Sequence, residues 1–524
     1  MITGSNAMET GKFKMILAGL FFWTAAVLPL SAENLYVDPD SGDDAANGRS
    51  ATASDAGGPY KTIAKAIAQV KPGDTIHLSP GKVFREQVGI SNKSGEPGRQ
   101  IVLDGHGATI NGSAPINPDD WKMVSPGLYY NEAIYERWLK VNHDVVKYAE
   151  EWVSMEALVF DGKLKRMGHA RKAPPIPYLT PAGLKPGEWT YQKTDNHRFY
   201  IKIDPAKTLA DYKIEAPVIV SCVQLNGNVS HLLIKNLTVT HCLNDGYAFG
   251  AGRMRDIFFE NIRAVECCDD GMSGHADQEV HVDGFESIGN CNGICSGGGG
   301  TSTYRRVYIS ESVGHNLNFY FGNHTLSDSV IECSGLTSGV WLNNAHAGEM
   351  ATIKMDNVLF LHPPGGSENA RTVQIDVRNR LEARRVTFAG LSLKAKSGSE
   401  LALNGCILAG GAPFHLDVST NAIWEADLNF YDLGTVRMGN KSFTPEDFDA
   451  WRAITKQDGR SVWAQVKPDF TQKGMMLFTG GQNAGFDAAS FKKAAPALAG
   501  RLDEAIAHYL KVSGKSENET VESK

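Results

Sequence analysis

Two acidic turns are where this sequence crowds like side chains closely enough to do chemistry: Asn244-Asp245-Gly246 and Asp269-Asp270-Gly271, with Asn292-Gly293 continuing the pattern. Asp245 and Asp270 are 25 residues apart. If the chain brings residues one such step apart side by side, three carboxylates meet. They repel one another, so the group either holds a proton near neutral pH or is neutralised by a cation such as calcium. The first arrangement places a general acid beside a general base or nucleophile, which hydrolysis of a glycosidic bond requires. The second neutralises a uronate carboxylate before a base removes a proton, as in β-elimination. Asn or Asp before Gly is also ordinary turn chemistry. The doubled Asp269-Asp270 is more than a turn needs.

What must position these residues is a repeat. Short alternating quartets superimpose along the chain: Gly246-Tyr-Ala-Phe249, Gly271-Met-Ser-Gly274, Gly293-Ile-Cys-Ser296, Asn318-Phe-Tyr-Phe321, Gly339-Val-Trp-Leu342, Thr372-Val-Gln-Ile375, Gly390-Leu-Ser-Leu393 and Pro413-Phe-His-Leu416. Their third residues are spaced 25, 22, 25, 21, 33, 18 and 23 apart. Units of two or three short strands cannot bury both faces alone, whereas stacked coils share one core and pair every backbone edge. The period therefore predicts a parallel β-helix. The 33-residue step predicts a loop at Pro363–Ala370.

With the second and fourth residues of each quartet inside, the third faces outward. The predicted outer stripe is Ala248, Ser273 with His275, Cys295, Tyr320, Trp341 with Asn343, Gln374 with Asp376 and Arg378, Ser392 with Lys394, and His415 with Asp417. Tyr320 and Trp341 suit stacking on sugar rings, or stabilise adjacent coils. His275, His315, His324 and His346 come from the same coils. His275, beside the aspartates, is the candidate proton-transferring base, joining Asp245, Asp269 and Asp270 in the catalytic set. Asn343, His324, His346 and Arg378 complete the substrate-binding set with Tyr320 and Trp341, Arg378 and Lys394 being suited to carboxylate or sulfate groups. Eight cysteines, without CxxC or zinc spacing, are too few for a disulfide scaffold. Cys242 and Cys267, each three residues before an aspartate, form either a disulfide or a pair of buried thiols.

Around the repeat, residues 1–32 read as a signal peptide: Lys12 and Lys14 precede a short apolar run ending in Ser31-Ala32. Residues 33–115 hold an N-terminal cap and the first coils, with an amphipathic helix over 60–70 stopped by Pro72-Gly73. Residues 116–216 break the period and read as an inserted β-rich subdomain with a hairpin around Thr194–His197. The main coils fill 217–425. Residues 426–512 carry helices, one opened by the capping box Thr444-Pro-Glu-Asp447 and one over Ala488–Leu510, and 513–524 form a disordered polar tail. The 52 basic and 59 acidic residues, net charge -7, show no basic cluster and exclude nucleic acid as the main partner. No later stretch is apolar enough to span a membrane, so the mature chain is expected to be exported, secreted or periplasmic, and to act as a monomer on a polysaccharide or oligosaccharide.

Asn34-Leu-Tyr-Val-Asp-Pro-Asp-Ser-Gly, Gly58-Pro-Tyr-Lys-Thr-Ile-Ala-Lys-Ala-Ile and Lys71-Pro-Gly-Asp-Thr-Ile resemble the N-terminal cap of the right-handed parallel β-helix proteins of the pectin-lyase-like superfamily. With the coils, the resemblance covers most of residues 34 to 470. It implies an all-β, single-stranded right-handed parallel β-helix with a capping helix, an inserted β-rich subdomain and a short helical C-terminal region. It also implies kinship with secreted glycoside hydrolases, which need no cofactor, and with polysaccharide lyases, some calcium-dependent. Noncatalytic glycan-binding or structural members are the remaining expectation. The β-helix polygalacturonases and a calcium-dependent group of pectate lyases likewise carry a paired aspartate one coil after a further aspartate. This sequence departs from both: neither Gly-His-Gly nor Arg-Ile-Lys follows, and Cys295 stands where a lysine base would be attractive.

Overall fold

A computed structural model describes residues 32–55, 57–135, 157–166, 179–192, 194–335, 337–343, 350–362, 367–464 and 484–512. The expected leader over residues 1–31 and the polar tail 513–524 lie outside these. The described chain forms a mostly β parallel solenoid of about 13 turns. Successive coils align residue for residue, and inward columns can be followed along the molecule. One runs Val223, Tyr247, Met272, Ile294, Leu317, Val340, Val373, Leu393, Leu416. Another runs Val239, Ala264, Ser287, Ile309, Ile331, Phe360, Phe388, Leu408, Tyr431. Nearly all are buried apolar side chains stacked on their own kind in the next coil, which is how units too thin to have a core acquire one.

The coils turn at a repeated backbone device. Asn236, Asn261, Gly284, Arg306, Asp328, Asn357, Arg385, Gly405 and Leu428 occupy the same position on successive coils, and every one has a φ between 47° and 83°. Left-handed backbone suits Asn, Asp and Gly and strains Leu or Arg by roughly 1–2 kcal/mol, a cost the stacked ladder overrides.

At the N-terminus the helix Ile63–Gln69 is shorter than the predicted 60–70, capped by Thr62, and buries Ile63, Ala66 and Ile67 in the main core. The inserted segment forms two antiparallel four-stranded sheets around its own core of Trp121, Trp189, Phe199, Ile201 and neighbours. The expected hairpin is present, Trp189–Gln192 pairing Arg198–Lys202 with Asn196 and His197 left-handed in its turn. Leu243, from a corner of the main solenoid, joins the insert's core.

At the far end the capping box at Thr444 and Asp447 opens the helix Phe448–Thr455, whose Phe448 and Trp451 cover the last coil beside Phe443 and Trp463. The single helix expected over 488–510 is broken. Pro496 cannot continue it, leaving Ala488–Ala494 and Ala499–Val512 on either side of a 3-10 turn. Both lie against the outer side of the coils, on Tyr308, Val330, Leu359 and Ala389. Among the described residues no helix is long and apolar enough to cross a membrane.

Glu266 joins insert to solenoid. It accepts from the Leu164 amide at 2.8 Å, lies 3.2 Å from His241 Nε2 and 3.4 Å from Lys163 Nζ. Burial raises its pKa, but His241, the Leu164 amide and Lys163 outweigh burial and bring it down to about 2. A carboxyl depressed in the folded state stabilises above its unfolded value of about 4.3, and that contribution is lost as pH falls through about 2. Urea titrations at stepped pH should show a loss on the order of 3 kcal/mol across this window, and Glu266→Gln should already lack that stability at pH 7.

Candidate functional site

Tyr247 and Met272 are register partners in the core, so Asp245 and Asp270 take the same position on neighbouring coils. Asp270 N donates to Asp245 Oδ1 at 3.2 Å, and Asp269 N donates to Asn244 O at 3.1 Å. One carboxylate oxygen from each of the three aspartates lies within 4.8 Å of the others. The meeting expected from the 25-residue step is thus present. The aspartates are nearly sealed from solvent, only 3, 4 and 5% exposed.

The bend is held from several sides. Gly246, Gly271 and Gly293 do not have positive φ, so left-handed turn chemistry does not explain the Asp-Gly and Asn-Gly pairs. Close approach does: a Cβ on Gly246 would stand 2.8 Å from Gly271 O, and one on Gly271 2.8 Å from Gly293 O. Cys242 Sγ donates to Asn244 O at 3.3 Å and to Asp245 O at 3.1 Å. All eight cysteines are buried thiols, so the disulfide alternative for Cys242 and Cys267 gives way to the thiol one, with Cys242 bracing the turn. Burial pushes the Cys242 thiol well up. Leu243 N and Asn244 N donate to Ile219 O and Val220 O, where the chain leaves the insert. The insert therefore buttresses the acidic bend, a role its sequence did not signal.

Amides orient the carboxylates. Asn244 Nδ2 donates to Asp245 Oδ2 at 3.0 Å, and Asn292 Nδ2 to Asp270 Oδ1 at 2.6 Å. Asn292 Oδ1 in turn accepts from His315 N at 2.8 Å, which makes it the link to the following coil.

Beside the bend lie two outward columns. The first is Ala248, Ser273, Cys295, Asn318, Trp341, Gln374, Lys394, Asp417. Tyr320, Ser392 and His415, expected in this stripe, are each two residues out of step with it. The second column is His275, Gly297, Tyr320, Asn343, Asp376, Lys396, tied by amide-to-carbonyl bonds of 2.7 to 3.0 Å between coils. Sliding a strand by two keeps every side chain on its face, so alternation alone could not detect the shift. Its one available signal was spacing: with Asn318 in place the steps around it become 23 and 23. The 33-residue step also differs from expectation. Thr303 to Thr325 takes 22 residues, but Thr325 to Lys354 takes 29 and Lys354 to Glu382 takes 28. The extra length is thus divided between two places rather than held in one loop at 363–370.

Trp341 is half-buried. Its Nε1 donates to Asp376 Oδ2 at 3.0 Å, and Gln374 Nε2 and Lys396 Nζ reach Asp376 Oδ1 at 3.0 and 2.6 Å. Its ring tilts against His315 at 5.1 Å between centroids. Tyr320 OH accepts from Asn318 Nδ2 at 3.2 Å. Gly297 separates His275 from Tyr320: a Cβ there would lie 3.3 Å from His275 Nδ1 and 3.7 Å from Tyr320 Cδ2. His275 is exposed, with Nε2 3.1 Å from Ser273 Oγ. Asn343 is on the face but 8% exposed, and Arg378 is exposed at a left-handed corner, φ 69°, two residues past Asp376.

His324 does not belong to this face. It points inward between Ser302 and Ile353, 1% exposed and stacked on Phe319 at 4.3 Å, with Nε2 on Phe321 O at 2.9 Å. Burial holds its pKa down at about 4, so it is a neutral core histidine out of reach of substrate. His346 lies outside the described residues.

No family model matches the chain, and no curated protein matches it. Similar solved structures include one described as the complex of XylC with xylose, 10% identical over 83% of this chain and 87% of that one, TM-score 0.42. Another is the pectate lyase Pel9A, 14% identical over 76% of this chain and 80% of that one, TM-score 0.38. A third is described as a glycoside hydrolase, 12% identical over 88% of this chain and all of that one, TM-score 0.39.

Because Asn292 satisfies both Asp270 and the next coil, Asn292→Ala should cost about 1–3 kcal/mol. Denaturant titration against wild type measures it.

Proposed function

We propose that this chain is an exported enzyme that cleaves glycosidic bonds of a polysaccharide by hydrolysis at the acidic bend. The observation that carries the reading is the meeting of Asp245, Asp269 and Asp270 within 4.8 Å, nearly buried, beside an outward face bearing Tyr320 and Trp341. Three desolvated carboxylates require a proton, a cation or a cationic side chain to balance them. A shared proton makes one of them the general acid that protonates the glycosidic oxygen. A second then activates water or attacks the anomeric carbon. His275, five residues and so roughly 16 Å of strand past Asp270, hydrogen-bonds the substrate farther along the face. Trp341, its indole plane set by Asp376, and Tyr320 offer flat apolar faces to sugar rings. Asn343 and Arg378 line the way outward.

Asp269→Asn and Asp270→Asn should each lower turnover about 10²–10⁴-fold, with thermal stability kept or raised because a repulsion is removed. Release of new reducing ends from a panel of neutral, uronate and sulfated polysaccharides measures this; full turnover in both variants removes the aspartates from the mechanism.

One observation favours a second reading, elimination on a uronate polymer. Three carboxylates with no nitrogen or sulfur among them are the donor set that calcium prefers, and Asp245, Asp269 and Asp270 would hold it. The ion would neutralise the uronate carboxylate and acidify the proton beside it. On this reading a chelator abolishes activity, calcium restores it, and the products absorb in the ultraviolet. Chelator-resistant cleavage yielding saturated ends excludes it.

A further inference from the structure

A second cluster of ligating side chains lies on the first coils, apart from the acidic bend. His77 stands on the strand Thr75–Leu78, in register with Asp104 on Ile101–Asn111, and His106 follows two residues later in a left-handed conformation, φ 48°. One ligand atom from each of the three falls within 4.8 Å of the others. The rings are stacked, Tyr36 on His77 and His77 on His106, at 5.2 Å in both cases. They are held in parallel planes with their nitrogens edge to edge.

The hydrogen bonds around the pair leave two imidazole nitrogens facing one another across a short gap. Asn34 Oδ1 lies 3.0 Å from His77 Nε2 and accepts only from a protonated nitrogen. A neutral His77 then turns the lone pair of Nδ1 toward His106 Nε2, 2.9 Å away. Asp104 Oδ1 lies 3.7 Å from His106 Nδ1, beyond hydrogen-bond length, so His106 can carry its proton on either nitrogen and present Nε2 as a lone pair when Nδ1 is protonated. In one His106 tautomer the pair shares a hydrogen bond; in the other, two lone pairs converge on a single point, where a cation fits.

We infer that His77 Nδ1 and His106 Nε2 bind a transition-metal dication such as zinc, with Asn34 holding the His77 ring by its outer nitrogen and the Asp104 carboxylate beside the His106 ring. Imidazole nitrogens select zinc, copper or nickel over calcium or magnesium. The acceptor behind His77 is what metal-ligating histidines characteristically have. Tetrahedral bonds of about 2.0–2.1 Å need the nitrogens roughly 3.3 Å apart, so the present gap opens by only a few tenths of an ångström. His106, 38% exposed at its side chain, leaves the ion open to water, which completes its coordination. Asp104 brings the negative charge. It also meets Lys235 Nζ at 3.2 Å and accepts from Asn236 Nδ2 at 3.0 Å and from His106 N at 3.1 Å, so it acts from behind rather than as a primary ligand.

Calorimetric titration of the chelator-stripped protein with zinc chloride tests the assignment. One saturable site is expected in wild type, weakened at least tenfold by His77→Ala and by His106→Ala and unchanged in Asp269→Asn. His106 is exposed, so its replacement leaves the fold intact. Absence of uptake by wild type, or uptake that survives both histidine replacements, overturns the site; loss in Asp269→Asn alone moves the ion to the acidic bend and overturns it equally.

Discussion

Everything chemical in this molecule depends on backbone amides of one coil donating to carbonyls of the next in unbroken register. That ladder sets neighbouring coils about 4.8 Å apart and converts a sequence separation of one coil into side-chain contact. It holds its phase because the chain turns at a fixed place, the left-handed residue that recurs from Asn236 to Leu428. With the corner fixed, extra residues on the coil that carries Trp341 leave the strands on either side aligned. The acidic bend and the aromatic face are therefore consequences of one geometric rule.

The same rule imposes a cost. Stacking like on like stabilises apolar columns but forces Asp245 against Asp270, and burial removes the water that would screen them. The structure answers with neutral donors to the carboxylates, the amides of Asn244 and Asn292 and the backbone N–H of Asp270, while the Cys242 thiol braces the carbonyls of the turn. The insert adds a rigid apolar wall through Leu243. A costly local arrangement supported by so many independent contacts is typical of a functional site.

The sequence made the solenoid and its acidic pair legible because both follow from one number, the coil length, and Asp245 and Asp270 sit where that number is regular. Tyr320 was assigned to the wrong column because a period of two is blind to a slip of two. Coil membership groups His324 with the other histidines but does not tell which way it points, and in its inward column it is tolerated as a neutral ring on Phe319. The corner device was invisible in composition, since Arg306, Arg385 and Leu428 adopt a conformation their residue types disfavour. Long-range support, such as Leu243 in the insert's core, has no signature in local pattern at all.

The two C-terminal helices cross the grain of the stack. Arg501 reaches Glu286, His508 reaches Glu332, and backbone amides at Asp487 and Phe486 bond to Asn357 and Thr387, each partner on a different coil. A column of repeats with only nearest-neighbour contacts frays from its open end one layer at a time. A splint fastened across several layers forbids that: these coils must come apart together or not at all, which turns a nearly one-dimensional polymer into a cooperative body.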